Sequence, residues 1–305
     1  MENMNFLPET PEFDTAPPLP MNELKDFENN YKKGDLILDS NDFILFFGEE
    51  KESKKSVVIK EYKEEFVKKL KNNTELFDLE RKYYQNYNKN SFKYISKFIN
   101  SYKTNDQIIF VFDKFTTTLR NEIIKRKKFE IEEIRHLFLK INEMIKYFAQ
   151  RQIKEAIFTP ETLALDKKNE KDFSYNLIVY NLFPYQKLKN NKNLTEKKNN
   201  FFNYISDDFP ENEEDSLKNN NNQYDENKFS KLSNNEIYLN AILWNIGVLM
   251  YELYFGEFPV ENENNRNFIL KKSNCKEFDD LIKILVEKDE NKRIKWKDYL
   301  KHKFF

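Results

Sequence analysis

Glycine is scarce in this chain, and cysteine is almost absent. The 305 residues include four glycines, Gly34, Gly48, Gly247 and Gly256, whereas a typical protein is about 7% glycine. Glycine-rich loops let backbone amides approach phosphate groups closely, so such a loop would have to use these four residues. The one cysteine, Cys275, excludes a disulfide framework and predicts a reducing intracellular compartment, either cytoplasmic or nuclear.

An excess of charge of either sign is also missing. The chain carries 51 basic and 52 acidic residues, for a net charge of -1. No basic excess indicates nucleic acid as a partner, and no polybasic block indicates an anionic membrane. No signal peptide is predicted, and no apolar run approaches the roughly 18 residues that a membrane span needs. Neither nucleic acid nor a membrane is therefore expected as a partner.

Aromatic residues are abundant, and their pattern predicts an α+β fold. The 29 phenylalanines and 17 tyrosines supply ample apolar area for a core. Residues 1–30 are acidic and contain prolines, which predicts a tail that is flexible or serves in docking. The pattern over 31–115 is rich in strands and that over 116–305 is mainly helical. An Asn- and acid-rich stretch at about 186–235 reads as an insert.

Individual elements can be predicted from periodicity. Strands are expected within 35–62, near 94–102 and near 107–115, with a helix over 63–87 between them. Apolar residues at steps of three and four between Glu130 and Arg151 predict a long amphipathic helix. Two short apolar runs that follow predict a β-hairpin. Residues 241–255 are apolar on nearly every face, which predicts a central buried helix.

Four stretches carry motifs, namely "VVIK" at 57–60, "IIFVFDKF", "LWNIGVLMYELYFGEFPV" and "EKDENKRIKWKDYLKHKFF". Over about residues 31–305 they resemble the eukaryotic protein kinase family. The first is similar to the strand whose lysine holds nucleotide phosphates, and the second to the hinge strand, with Asp113 at the hinge. The last two resemble the buried helix and the C-terminal end of the large lobe. The resemblance implies a bilobal kinase-like fold, with a small β-rich N-lobe at 31–115 and a larger helical C-lobe at 116–305.

The resemblance also locates a catalytic loop that has lost its chemistry. That family's loop reads H-R-D-L-K-x-x-N, and the two residues before the Asn are usually Pro-Glu. The stretch "RQIKEAIFTPETLALD" at 151–166 contains such a pair, Pro160-Glu161, and aligns with the loop there. A substrate hydroxyl needs a group that accepts or orients its proton, and isoleucine has none. The degenerate positions are Glu155 for the His, Ala156 for the Arg, Ile157 for the catalytic Asp, Thr159 for the Lys and Thr162 for the metal-binding Asn.

The remaining metal and phosphate ligands of the family are replaced as well. Tyr180 or Asn181 takes the place of the second magnesium ligand, and neither carries the negative charge that the cation prefers. The glycine-loop window falls on residues 39–44, where Asp39, Asn41 and Ile44 replace the glycines. Bulky side chains prevent close approach of the backbone to phosphates, so no metal or nucleotide cofactor is expected.

Lys60 is the main survivor of the family's catalytic residues. It could contact phosphate, with Glu80 as its partner, or it could form a structural ion pair between strand and helix. Glu75 on the same helix is an alternative partner. The resemblance further implies that an Asp anchors the catalytic loop. This Asp would lie on the buried helix, two residues before its tryptophan. Ile242 stands there, which predicts that the loop has lost this anchor.

Two functions follow from the resemblance. The first is a pseudokinase, a kinase-like protein without phosphoryl transfer that acts as a scaffold or allosteric partner of another protein, such as an active kinase. The alternative is a divergent Ser/Thr protein kinase that still binds ATP through Lys60, uses Mg²⁺ and transfers phosphate to protein. It would have to borrow carboxylates from elsewhere, for example from Asp39, Asp42 or Asp166.

Overall fold

A computed structural model of the chain describes residues 22–70, 74–89, 92–104, 106–151, 153, 156–167, 175–183, 234–261 and 268–305. Within these ranges the protein has an α+β fold, as the sequence predicts. The predicted insert lies outside the described residues except for its last two positions, and so do residues 1–21 of the predicted tail.

The largest sheet has six strands in the order β1-β5-β6-β4-β3-β2. Neighbouring strands are antiparallel, except that β1 pairs with β5 in parallel. This sheet contains the strands predicted from the periodicity, and β1 in addition. The strands are β1 (Asn22–Glu23), β2 (Tyr31–Asp39), β3 (Phe43–Glu50), β4 (Ser56–Tyr62), β5 (Phe98–Lys103) and β6 (Ile108–Asp113).

The helix predicted over 63–87 is two helices, α2 (Glu64–Lys69) and α3 (Glu75–Lys89). The residues between them include two asparagines and Thr74. Such side chains compete for backbone hydrogen bonds and favour helix ends. α3 packs its buried side chains, Leu76, Phe77 and Glu80 among them, toward the sheet.

A short helix, α1 (Leu24–Asn30), covers the outer face of the six-stranded sheet. Phe27 is buried and packs at ring-centroid distances of 5.8 Å from Tyr31 and 5.4 Å from Tyr102. The part of the predicted tail that is described thus belongs to the fold. Beneath it lie the outward-facing residues Val57, Ile59, Ile109 and Val111.

We expect Phe27→Ala to lower the free energy of unfolding by about 2 kcal/mol, the transfer free energy of one buried phenylalanine. The loss stays near this value because α1 can undock and leave no cavity. Urea denaturation measures it. Glu28→Ala is the matched control on the exposed side of α1, with an expected change within about 0.5 kcal/mol. Equal effects of the two substitutions would contradict the conclusion that α1 stabilises the fold by packing Phe27 against the sheet.

Two further sheets, one of three strands and one in which β10 pairs with β11, and five helices complete the described fold. The predicted hairpin is present as β8 and β9, and β7 extends it to the order β7-β8-β9. The predicted amphipathic helix is α5. The bounds are β7 (Thr117–Thr118), α4 (Leu119–Arg126), α5 (Ile131–Gln150), β8 (Leu163–Lys167), β9 (Tyr175–Val179), α6 (Asn234–Phe255), β10 (Val260–Glu261), β11 (Phe268–Ile269), α7 (Lys276–Leu285) and α8 (Trp296–Tyr299).

The apolar helix predicted at 241–255 is the C-terminal part of α6, and it is buried in the main core. Gly247 lets α7 approach it closely, because a Cβ there would lie 2.7 Å from Cβ of Leu285 and 2.8 Å from Cγ1 of Val286. One continuous hydrophobic core links the inner face of the six-stranded sheet to α5, α6 and α7. No described helix combines the length and apolar character that crossing a bilayer requires.

Candidate functional site

The predicted phosphate-binding lysine lies in the middle of the sheet. Lys60 is on β4, where it pairs in register with Leu45 of β3 and Phe110 of β6. Side chains alternate between faces along a strand. Lys60 therefore shares the inner face with Val58 and Tyr62, which belong to the main core. Its side chain is 0% exposed.

Three hydrogen bonds surround the ammonium group of Lys60. Its Nζ donates to Tyr62 Oη at 2.5 Å, to Glu80 Oε1 at 2.7 Å and to Asn181 Oδ1 at 2.8 Å. Tyr62 Oη in turn donates to Glu80 Oε2 at 2.6 Å. These four side chains, which we call the Lys60 cluster, join β4, α3 and the segment after β9. All four are buried.

The geometry of the Lys60 cluster leaves no hydrogen of the ammonium group free to bind a phosphate group. An ammonium group has three hydrogens, and all three are directed at partners within the protein. Burial lowers the pKa of Lys60, and the nearby carboxylate of Glu80 opposes that change. Of the two partners that the sequence offered for Lys60, Glu80 and Glu75, the structure pairs it with Glu80. Glu75 is exposed at the start of α3.

Aromatic rings fill the space around the Lys60 cluster. Nζ of Lys60 lies 5.0 Å from the ring centroid of Phe43 and 4.4 Å from that of Tyr62, distances at which a cation is attracted to the ring face. Phe183 packs against Tyr62 and two further rings. The distances are 5.6 Å to Tyr62, 5.5 Å to Phe66 and 5.3 Å to Phe77. All these rings are buried, so this region is core.

The predicted glycine-loop positions form a tight hairpin turn between β2 and β3. Asp39 pairs in register with Ile44, and the Ser40 hydroxyl donates to the carbonyl of Phe43 at 2.8 Å. The Asp39 carboxylate is exposed and pairs with Lys63 at 2.5 Å. Asn41 is exposed and Ile44 is half-buried. The predicted hinge residue, Asp113, ends β6 and forms an ion pair with Lys55.

The predicted catalytic-loop positions have become part of the core. Ala156 and Ile157 are buried in the main core cluster. Thr159 and Thr162 are also buried. The Thr162 hydroxyl donates to the carbonyl of Ile157 and accepts from the amide of Thr159 at 2.9 Å. Both threonines thus stabilise the loop itself. Glu155 lies outside the described residues.

The expectation that this loop has lost its anchor on the buried helix is wrong. Ile242 is buried in the core and offers no hydrogen bond. One turn further along α6, however, Asn245 accepts a hydrogen bond from the amide of Phe158 at 3.0 Å. Asn245 lies three residues after the position that the resemblance implies for the anchor. An Asn within the otherwise apolar run at 241–250 was the sequence signal for this role.

An arginine holds the other end of the loop. Nε of Arg120 on α4 donates to Glu161 at 2.5 Å, and Nη1 donates to Glu252 on α6 at 2.5 Å. The backbone amide of Arg120 also donates to the carbonyl of Pro160 at 3.0 Å. Burial raises the pKa of Glu252 to about 7, against the opposing effect of Arg120. Glu161 therefore has a structural partner and connects the loop to α4.

Tyr180 and Asn181, the two candidates for the degenerate metal-ligand position, follow β9 and are both buried. Asn181 contributes its carbonyl oxygen to Lys60, and the ring of Tyr180 packs 5.2 Å from that of Phe115. Among the described residues, no three His, Cys, Asp or Glu side chains are grouped so that they could hold a metal ion. The arrangement of these residues stabilises structure and supplies no ligand set.

Sequence reasoning identified Lys60 and Glu80 but missed the tyrosines around them. Tyr62 is two residues after Lys60 and therefore on the same face of the strand. Tyr84 is four residues after Glu80 and therefore on the same side of α3. Both signals are present in the sequence. The role of Phe183 depends on the packing of a distant segment, and no local pattern indicates it.

Two comparisons with known proteins find no relative of this chain. No model of a known protein family matches the chain, and a search of curated proteins finds no match. The resemblance to protein kinases therefore depends on the sequence motifs alone.

Proposed function

We propose that this chain is a pseudokinase, a kinase-like protein that neither binds ATP productively nor transfers phosphate. The observation that carries the proposal is the state of Lys60. Its ammonium group is completely buried, and each of its hydrogens is donated to a protein side chain. A lysine in this state cannot hold a nucleotide unless the Lys60 cluster is first taken apart.

The surroundings of Lys60 support the same proposal. Phosphoryl transfer depends on positioning and on stabilisation of charge by cations and metal ligands. Ile157, Thr159 and Thr162 are buried and committed to packing or to hydrogen bonds within their own loop. The alternative, a divergent protein kinase, needs carboxylates elsewhere. Of its candidates, Asp39 is engaged with Lys63 on the surface.

The resemblance to a bilobal kinase fold belongs to this proposal. A mostly antiparallel sheet precedes a mainly helical region, and a buried Lys–Glu pair links β4 to α3. The chain would then act through its surfaces, as a scaffold or allosteric partner of another intracellular protein such as an active kinase. The buried aromatic rings around Lys60 would hold the two lobes together without nucleotide.

We expect ATP with Mg²⁺ to leave the thermal midpoint unchanged. A nucleotide present at 100 times its Kd would stabilise the protein by about 2.7 kcal/mol. The measurement is thermal denaturation of the intact chain in millimolar ATP and Mg²⁺, with an active protein kinase as positive control. Labelled ATP and a general protein substrate test transfer in parallel. A Mg²⁺-dependent shift together with transfer of label would establish the divergent kinase instead.

A further inference from the structure

Two tyrosines and two cations meet at the surface where α5 ends. The ring centroids of Tyr94 and Tyr147 are 5.1 Å apart, edge to face. The guanidinium carbon of Arg151, the residue after α5, lies 3.8 Å from the ring centroid of Tyr147. Nζ of Lys93 lies 4.7 Å from the ring centroid of Tyr94, and the amide of Lys93 donates to the Tyr147 hydroxyl at 3.2 Å. We call these four residues the Tyr147 patch.

The two cations of the Tyr147 patch have no carboxylate bound to them. Lys93 is exposed and Arg151 is half-buried, and neither forms an ion pair with a carboxylate of the described ranges. The hydrogen bond to Tyr94 raises the pKa of Lys93, and the charge of Glu143 on α5 contributes. A cation over a ring face keeps its charge. The patch therefore presents positive charge beside aromatic surface, which suits an anionic group next to an apolar side chain.

The chain before β1 has the complementary composition. Residues 1–21 lie outside the described residues, and they contain no lysine or arginine. Phe13 has an acidic residue on either side. Carboxylates form charge-assisted hydrogen bonds with lysine and arginine, and a phenylalanine ring packs well against other rings. The acidic residues of this segment are Glu2, Glu9, Glu12 and Asp14.

The direction of β1 leads this segment toward the Tyr147 patch. β1 is parallel to β5, with Asn22 opposite Tyr102. The chain before Asn22 therefore approaches from the side of the residues that precede β5, where the patch lies. From Tyr102 back to Tyr94 an extended chain covers at most about 26 Å. The eight steps from Asn22 back to Asp14 cover about 25 Å in the polyproline conformation, so the acidic residues around Phe13 can reach the patch.

The sheet itself offers this segment little. Asn88 of α3 accepts a hydrogen bond from the amide of Phe98 at 3.1 Å and donates to the carbonyl of the same residue. A strand that continued β1 toward this end of β5 would find both groups occupied. Prolines also lack the N–H that a strand ladder uses, and three of them precede β1, namely Pro17, Pro18 and Pro20. A surface of side chains is the better partner.

We propose that residues 9–14 dock on the Tyr147 patch of their own chain, with carboxylates on Lys93 and Arg151 and with Phe13 against the tyrosine rings. The short connection to β1 keeps the segment at a high effective concentration near the patch, so individually weak contacts suffice. The inference goes beyond the proposed function and does not depend on it, because docking at this surface is the same whether or not the chain binds nucleotide.

Carbodiimide cross-linking of the intact chain tests the docking, because the reagent joins an amine only to a carboxylate in contact with it. We expect mass spectrometry to find links from Lys93 to Glu9, Glu12 or Asp14. The surface ion pair of Lys63 with Asp39, at 2.5 Å, is the internal reference. The proposal is wrong if the reference link forms and no link joins Lys93 to residues 9–14.

A mixture of unlabelled and isotope-labelled chains identifies the owner of the docked segment. Docking within one chain gives links between two unlabelled or two labelled peptides. Mixed pairs at the statistical frequency would mean that the segment binds a second copy, which would overturn docking on its own chain. Sodium chloride at about 1 M shortens the Debye length to about 3 Å, and the yield of the Lys93 links should fall with it.

Arg151→Glu is expected to lower the yield of links from Lys93 by about 3-fold or more, because one attractive contact is lost and a repulsive charge is added. Lys128→Glu is the matched control. It makes the same change of charge at an exposed lysine before α5, and the 20 residues of α5 separate it from Arg151 by about 30 Å. Equal effects of the two variants would contradict docking at the patch.

A second variant changes the segment and leaves the patch intact. Glu12→Gln/Asp14→Asn removes two carboxylates from the segment, and it is expected to lower the yield of the link between Lys93 and Glu9 by a similar factor. It also decides the question should Arg151→Glu not fold. An unchanged yield of that link would show that the carboxylates beside Phe13 do not hold the segment in place, and the proposal would fail.

Discussion

The variant Lys60→Met is expected to lose about 3–5 kcal/mol of folding free energy, the cost of leaving a buried charge without its partner. Glu80 is 0% exposed and would keep its carboxylate inside the core. A lysine that reached into an open nucleotide site would behave differently, since exposed ion pairs contribute about 0–1 kcal/mol. Urea denaturation at neutral pH measures the loss.

The double variant Lys60→Met/Glu80→Leu is expected to recover most of that stability. Replacing both members of a buried ion pair by apolar residues is often neutral or stabilising. The coupling energy between the two sites should therefore be at least about 2 kcal/mol, near the upper end for residues in contact. A double-mutant cycle built from the two single variants and the double variant gives this number.

Lys63→Met is the matched control for Lys60→Met. Lys63 follows β4, and its ion pair with Asp39 lies at the surface. Its loss should cost no more than about 1 kcal/mol. If Lys60→Met were as mild as Lys63→Met, the Lys60 cluster would not be the structural core described above, and the case against nucleotide binding would lose its main support.

The variant Ile157→Asp, which restores the carboxylate that the kinase resemblance implies at this position, is expected to lose at least about 4 kcal/mol at pH 7. The side chain of Ile157 is buried, and full burial raises the pKa of a carboxyl group by up to 3–5 units, each worth about 1.36 kcal/mol. The pKa in the folded state would lie above that of the unfolded chain. The loss should therefore shrink as the pH falls through the raised pKa.

Two further substitutions at this position separate charge from shape. Ile157→Val removes one methylene and should cost about 0.5–1.5 kcal/mol. Ile157→Asn has nearly the shape of aspartate but cannot ionise, so its loss should not change between pH 5 and pH 7. Urea midpoints at both pH values provide the comparison. An Ile157→Asp variant as stable as Ile157→Val would mean that this loop faces solvent after all.

Most of the secondary structure could be predicted because it follows from local periodicity. The spacing of apolar residues from Ile131 to Phe148 is that of α5, and the runs of apolar residues on either side of 168–174 are β8 and β9. The cap formed by α1 could not be predicted. Its one buried residue, Phe27, has Leu24 and Tyr31 at helical spacing, but its position depends on a sheet face assembled from strands far along the chain.

The sequence predicted which catalytic residues the candidate site lacks. It did not predict how the side chains of the site are arranged in space. Ile157 cannot accept a proton wherever it lies, so its chemistry is settled by residue type. Asn245 stood out in the sequence as a polar residue in an apolar run, but its contact with the loop could not be predicted, because it depends on how α6 packs. The same holds for Arg120, which reaches Glu252 across 132 positions of sequence.

By itself the sequence determined the α+β class, most of the strands and helices, and the absence of catalytic side chains from the aligned loop. Each of these follows from residue chemistry or from spacing along one element. Tertiary structure alone decided whether Lys60 is available to a ligand, because its burial depends on rings contributed by β3, α3 and the segment after β9. A buried ion pair and a phosphate-binding lysine share the same local sequence, and they differ only in what packs over them.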